Sequence, residues 1–128
     1  MSEIEIYPVC AFKDNYVWTL RREGKAAVVD PGDAAPVLDY LRAEKLELTA
    51  ILNTHHHADH VGGNAELLSH YRVPVYGPHD ERIPTVSHRL REGDCLAMQL
   101  DRPTMFYNPT RKRARYAVVI ASETPSRR

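Results

Sequence analysis

The spacing of apolar residues divides the first hundred positions into short strands and helices. Ile4 and Ile6 alternate with acidic residues, the period of a half-buried strand. Tyr16 to Leu20 is β-branched and aromatic. The turn-like Arg21 to Lys25 separates it from Ala26 to Val29, so the pair predicts a hairpin. That second strand stops at Asp30-Pro31-Gly32-Asp33, a run of turn formers. Asp33 predicts an N-cap, with Pro36 in the first turn of a helix whose Val37, Leu38, Leu41 and Leu46 share one face. Thr49 to Leu52 reads as a short buried strand and Asn53 to Gly63 as a polar loop. Asn64 to His70 reads as a helix carrying Ala65, Leu67 and Leu68, and Val73 to Tyr76 as a strand. Cys95 to Leu100 follows the Gly93-Asp94 turn as one more strand. From Asp101 the period fades: Pro103 and Pro109 bracket an irregular stretch, Tyr116 to Ala121 reads as a strand, and Ser122 to Arg128 as a frayed end. Alternating strands and helices predict an α/β layered architecture. There is no internal repeat.

Composition narrows the class. The chain has 128 residues, 43% of them apolar and 27% charged, which suits one soluble domain with a real core. No apolar run approaches membrane-spanning length, and Met1 to Tyr7 is short and acidic, so neither an anchor nor a secretory signal is expected. Two cysteines, Cys10 and Cys95, have no paired spacing, which argues against a disulfide scaffold and makes the cytoplasm the expected compartment. The formal net charge is zero, but it is unevenly distributed. Residues 1–100 hold 10 Lys/Arg against 15 Asp/Glu, a net of −5, and residues 101–128 hold 7 against 2, a net of +5. The reading is a folded unit over 1–100 and a divergent basic tail over 101–128. The run Arg111-Lys112-Arg113-Ala114-Arg115 belongs to no recognisable nucleic-acid module, so a solvated or disordered tail is expected and nucleic acid is not expected as a partner.

All seven histidines lie between His55 and His88. The concentrated signal is Thr54-His55-His56-His57-Ala58-Asp59-His60, directly after an apolar strand and before Val61-Gly62-Gly63. Loops at strand ends are where α/β proteins keep their sites. Neutral imidazole and ionised carboxylate both suit Zn²⁺. In an extended segment residues i and i+2 point the same way, so His55 and His57 can converge on one ion, while Asp59 and His60 reach a second. Two ions ~3.5–4 Å apart share a bridging water and deprotonate it near neutral pH. His56 faces away and receives no ligand role. His70, His79 and His88 read as surface or capping histidines. A polar loop with adventitious metal affinity is the competing reading of a bare histidine tract.

This segment resembles the metal motif of the metallo-β-lactamase superfamily. Further segments narrow the resemblance to the hydroxyacylglutathione hydrolase (glyoxalase II) family: Lys13-Asp14-Asn15-Tyr16-Val17-Trp18, Val28-Val29-Asp30-Pro31-Gly32-Asp33, Val73-Pro74-Val75-Tyr76-Gly77 and Arg91-Glu92-Gly93-Asp94. The likeness covers about residues 4–100. It implies hydrolysis of the thioester S-lactoylglutathione to lactate and glutathione by a metal-bound hydroxide. It also implies His55 and His57 on a first metal, Asp59 and His60 on a second, and a catalytic share for Asp59. Zinc is the expected metal, and iron or manganese also suits nitrogen and oxygen donors. Asp30 reads equally as a carboxylate beneath the site and as a simple turn residue.

The family implied by the resemblance supplies further ligands downstream: a third histidine for the first metal, a bridging aspartate and a last histidine. No matching segment follows His88 here. The expected fold is therefore the first half of a metallo-β-lactamase-type αβ/βα sandwich, apparently truncated, with an apolar sheet face left to self-association or to a missing C-terminal half. The isolated chain is expected to be weakly active or inactive. The alternatives are a non-catalytic metal-binding or interaction protein and another hydrolase of the same fold.

Overall fold

The computed structural model describes residues 3–91, 93–99 and 102–107. Two antiparallel pairings open the fold: β1 (Glu5–Ala11) with β2 (Asn15–Arg22), and β2 with β3 (Lys25–Val29). The direction then changes. Helix α1 (Ala34–Ala43) returns the chain so that β4 (Glu47–Leu52) lies parallel to β3. Helices α2 (Ala58–Val61) and α3 (Asn64–His70) lead to β5 (Val75–Pro78), parallel to β4, and β6 (His88–Leu90) runs parallel to β5. The sheet order is β1-β2-β3-β4-β5-β6. A separate antiparallel pair joins β7 (Asp94–Gln99) to β8 (Arg102–Tyr107). Strands alternating with helices confirm the α/β reading.

Local sequence explains these elements. Asp33 caps α1, its carboxylate accepting from the Ala35 amide at 3.2 Å. Val37, Leu38 and Leu41 turn one stripe of α1 onto the sheet, where they join Val17, Val28, Leu48, Ile51 and Leu67 in the main core. Leu46 is buried as expected but lies past the end of α1, in the turn leading to β4. The opposite sheet face carries a smaller cluster of Leu20, Ala27, Ala50, Tyr76 and Leu90, with Leu96 of β7 packed against it. Register places Ile6 opposite Leu20, and Trp18 opposite Pro8 and Val29, so these share that second face. Ile6, Tyr16 and Trp18 are each about half exposed there (52%, 54% and 47%).

Three elements depart from the sequence reading. The segment read as one polar loop contains α2, a single turn too short to show a period. β6 follows a turn-rich stretch and spans only three residues. Arg102–Tyr107, placed in the tail, forms β8, because hairpin pairing with β7 needs no apolar alternation of its own. The strand read over Tyr116 to Ala121, the basic run Arg111 to Arg115 and the end Ser122 to Arg128 lie outside the described residues. Among the described residues no helix is long and apolar enough to cross a membrane.

Candidate metal centre

The site gathers beyond the C-terminal ends of the central strands β3 and β4, beside the start of β2. Asp30 directly follows β3 and has φ +52, a left-handed conformation uncommon for a residue with a side chain. Its amide donates to the Leu52 carbonyl at 2.8 Å, tying the end of β3 to the end of β4. Its buried carboxylate then lies under the histidine loop. Oδ1 accepts the Thr54 amide at 2.7 Å, and Oδ2 accepts the Thr54 hydroxyl and faces His60 Nδ1 at 3.2 Å.

These contacts assign tautomers. A carboxylate only accepts, so His60 Nδ1 carries its proton toward Asp30 and leaves the Nε2 lone pair free. The Thr54 hydroxyl has one proton and gives it to Asp30. His55 Nδ1, 2.8 Å from that hydroxyl, therefore donates to it, and His55 Nε2 is free as well. Burial is the main cause that lowers the His55 pKa, followed by the neighbouring His60, and both keep the ring neutral. A metal needs neutral imidazole with an exposed lone pair.

The other candidate donors are placed as follows. His57 is the N-cap of α2 with no side-chain capping bond. Its ring stands 4.8 Å from His55, edge-on, and 4.6 Å from His56. Asp59 is in the first turn of α2, and its Oδ2 is 3.5 Å from His60 Nε2. Two donors on one tetrahedral zinc, with bonds of ~2.1 Å, stand about 3.4 Å apart, so this pair fits a shared ion. The amide of Asn15 donates to the Asp59 carbonyl and to Oδ2, each at 3.1 Å. That contact is the chief cause holding the Asp59 carboxyl below its ordinary pKa. A second grouping is also compact: ligand atoms of Asp30, His55 and His60 lie within 4.8 Å of one another. Asp30, however, already has its oxygens engaged by Thr54 and His60, which marks it as the support under the donors.

Backbone contact sets the loop. Gly63 N donates to Pro31 O at 2.8 Å, and a Cβ on Gly63 would meet that oxygen at 2.5 Å. A Cβ on Gly32 would stand 1.9 Å from the Asp59 carbonyl oxygen. Glycine is needed at both positions for approach, since φ at Gly63 is −90. Beneath, buried Asn53 donates from its amide to the His60 carbonyl at 3.5 Å and accepts from Asn64 at 2.6 Å.

His56 turns away from the donors, with Nδ1 3.6 Å from Asp80 Oδ2. Asp80 is itself paired with Arg82, which holds its carboxyl down at about 2. His70, His79 and His88 are exposed and stand apart from the compact group. The sequence reading missed Thr54, Asn15 and Asp80 as partners of the loop. Only Asn15 left a signal, in the Asp14-Asn15-Tyr16 segment.

A family model for the metallo-beta-lactamase superfamily matches residues 12–94. The chain belongs to the metallo-beta-lactamase superfamily. Within this superfamily it is similar to hydroxyacylglutathione hydrolase of Nitrosomonas europaea, 52% identical over 93 residues, covering 73% of this chain and 36% of the relative. A second relative with that name, from Alkalilimnicola ehrlichii, is 59% identical over 94 residues, covering 72% of this chain and 37% of the relative. The chain thus spans a little over a third of the length of these curated relatives. Solved structures share the superfamily fold. The BLEG-1 B3 metallo-beta-lactamase aligns with a TM-score of 0.59 at 21% identity, over 81% of this chain and 66% of that one. The chemotaxis sensor ODP, solved as a peroxy diiron species, aligns with a TM-score of 0.62 at 11% identity, over 77% of this chain and 46% of that one. The superfamily implies metal ions, and the donor chemistry here fits them: two imidazoles whose Nδ1 atoms are engaged by Thr54 and Asp30, a further exposed imidazole and a carboxylate whose pKa is held down.

Proposed function

We infer that this chain carries the metal-binding part of a hydroxyacylglutathione hydrolase and that its substrate class is a glutathione thioester, S-lactoylglutathione. The observation that carries this reading is the 52–59% identity over 93–94 residues to enzymes of that name. In this reading His55 and His57 hold one zinc, and Asp59 and His60 hold another. The chemistry supplied by bound zinc is Lewis acidity toward water and toward the thioester carbonyl. The chain's own residues do the orienting. Asp30 sets the His60 ring directly and the His55 ring through Thr54, so both Nε2 atoms are presented without rearrangement. A thiolate leaves without strong acid assistance, so no buried general acid is required.

Four donors leave much of two coordination spheres to water, which favours weak metal retention and slow turnover by the 128-residue chain alone. A non-catalytic metal-binding role is the second reading, favoured by the exposure of His57 and Asp59. The experiment is zinc titration of the full chain followed by thiol release from S-lactoylglutathione, with His57→Ala and Asp59→Asn as controls. The expected result is zinc uptake weakened in both variants and slow thiol release lost in both. Zinc uptake without any thiol release supports the second reading. A chain that takes up no zinc and releases no thiol above background contradicts the proposal.

A further inference from the structure

We propose that Asn15 is a positioning residue for Asp59, fixing the carboxylate and its own backbone as one unit so that the carboxylate meets a metal ion preorganised. This inference rests on the metal-centre reading above. One side-chain nitrogen has two protons, and Asn15 spends both on the same residue: one on the Asp59 carbonyl and one on Oδ2, each at 3.1 Å. Two bonds from one rigid amide to the main chain and side chain of a single residue fix the side-chain torsions of that residue. The restraint is needed because Asp59 lies in the exposed first turn of a four-residue helix, where no packing would choose its rotamer.

The same carbonyl also lies close against Gly32, the residue whose missing Cβ leaves it room. Asp59 is thus held between the start of β2 and the turn after β3. Oδ2 is also the oxygen 3.5 Å from His60 Nε2. A carboxylate oxygen can accept the Asn15 proton with one lone pair and offer the other to a cation. The amide thereby leaves the donor usable while removing its freedom. Nearby charged groups do not duplicate this role: His60 faces Asp59 from the same turn of helix, and Asp30 faces the far nitrogen of His60.

The test has two arms on the full chain. In the metal-free protein, nitrogen-15 correlation spectra are expected to show the Asn15 side-chain amide protons widely split and slow to exchange. Asp59→Ala removes the Oδ2 acceptor and keeps the carbonyl, so both features should weaken to those of a single hydrogen bond. In the second arm, cobalt titration followed by visible absorption is expected to show affinity reduced ~10–100-fold in Asn15→Ala, with a changed ligand-field band. Asn15→Asp keeps the shape, removes both donors and sets a second carboxylate beside Asp59. It is expected to weaken binding more than alanine does, whereas a role in filling space predicts the reverse order. Thr49→Val, which removes a hydroxyl contact to Ala26 far from the site, controls for general destabilisation and should leave the cobalt band unchanged. Equal cobalt affinity and band in Asn15→Ala and wild type, or exchange of the amide protons at the free rate, overturns the inference and leaves the metal centre standing. A wild-type chain that binds no cobalt while the amide signature persists removes the metal-centre reading, and with it the positioning role.

Discussion

Replacing Gly32 by alanine puts a methyl group where the Asp59 main chain already stands. The added carbon would lie 1.9 Å from the Asp59 carbonyl oxygen and 2.3 Å from the carbonyl carbon. Ordinary contact begins beyond 3 Å, so the turn after β3 and the first turn of α2 must part by roughly 1 Å. Both partners are backbone, and neither can yield by rotating a side chain. Overpacking costs typically ~1–3 kcal/mol, and a backbone clash belongs at the top of that range. At about 4 °C per kcal/mol for a domain of this size, the thermal midpoint should fall by roughly 10 °C. The displacement also moves Asp59 away from Asn15 and His60 away from Asp30, so zinc affinity should fall by at least about 10-fold. Gly24→Ala is the comparison. That position has open space around it but φ +79, so its cost is conformational, ~1 kcal/mol, and about 4 °C with no change in zinc affinity. Circular dichroism melts and zinc titrations of the two variants measure both quantities. A Gly32→Ala chain that melts and binds zinc like the wild type would refute the close approach of these segments.

Three further outcomes are expected. Asp30→Asn keeps a residue that tolerates the left-handed conformation but removes the charge under the rings; calorimetric titration should show zinc affinity down ~10–100-fold with the fold retained. The unfolded chain binds a proton at His55 near pH 6.5 that the folded chain accepts only at lower pH, so the metal-free protein should lose stability as pH falls below about 6.5, and melts of His55→Gln should flatten that dependence. Trp18, the single tryptophan, lies half exposed on the sheet face that the described helices do not cover. Sedimentation should show self-association, with acrylamide quenching of Trp18 weakening as concentration rises; a monomer with constant quenching at the highest soluble concentration would count against it.

Residues whose structure follows from their neighbours in sequence were legible. Asp33 caps its helix, Val37 and Leu41 face the core, Asn64 to His70 is helical, and the hairpin of β2 and β3 follows from its turn. The histidine loop stood out as a candidate site because four potential donors crowd six positions. What escaped were contacts made across the fold. Thr54 becomes the link between Asp30 and His55 only once β3 and β4 lie side by side. Asn15 reaches Asp59 across 44 positions. The pairing of His56 with Asp80 depends on the segment after β5 lying beside the histidine loop. None of these leaves a period, a run or a spacing.

The left-handed backbone at Asp30 sets two demands against each other at a single position. Glycine would adopt φ +52 without penalty, whereas a side chain there costs roughly 1 kcal/mol or more of folding stability. The carboxylate that incurs this cost holds the rings of His55 and His60 in the tautomers a metal requires. A library at position 30 selected for thermal resistance should therefore drift toward glycine, and one selected for zinc retention should return to aspartate. Position 30 is where an engineer would meet a trade-off between the stability of this scaffold and its hold on a metal.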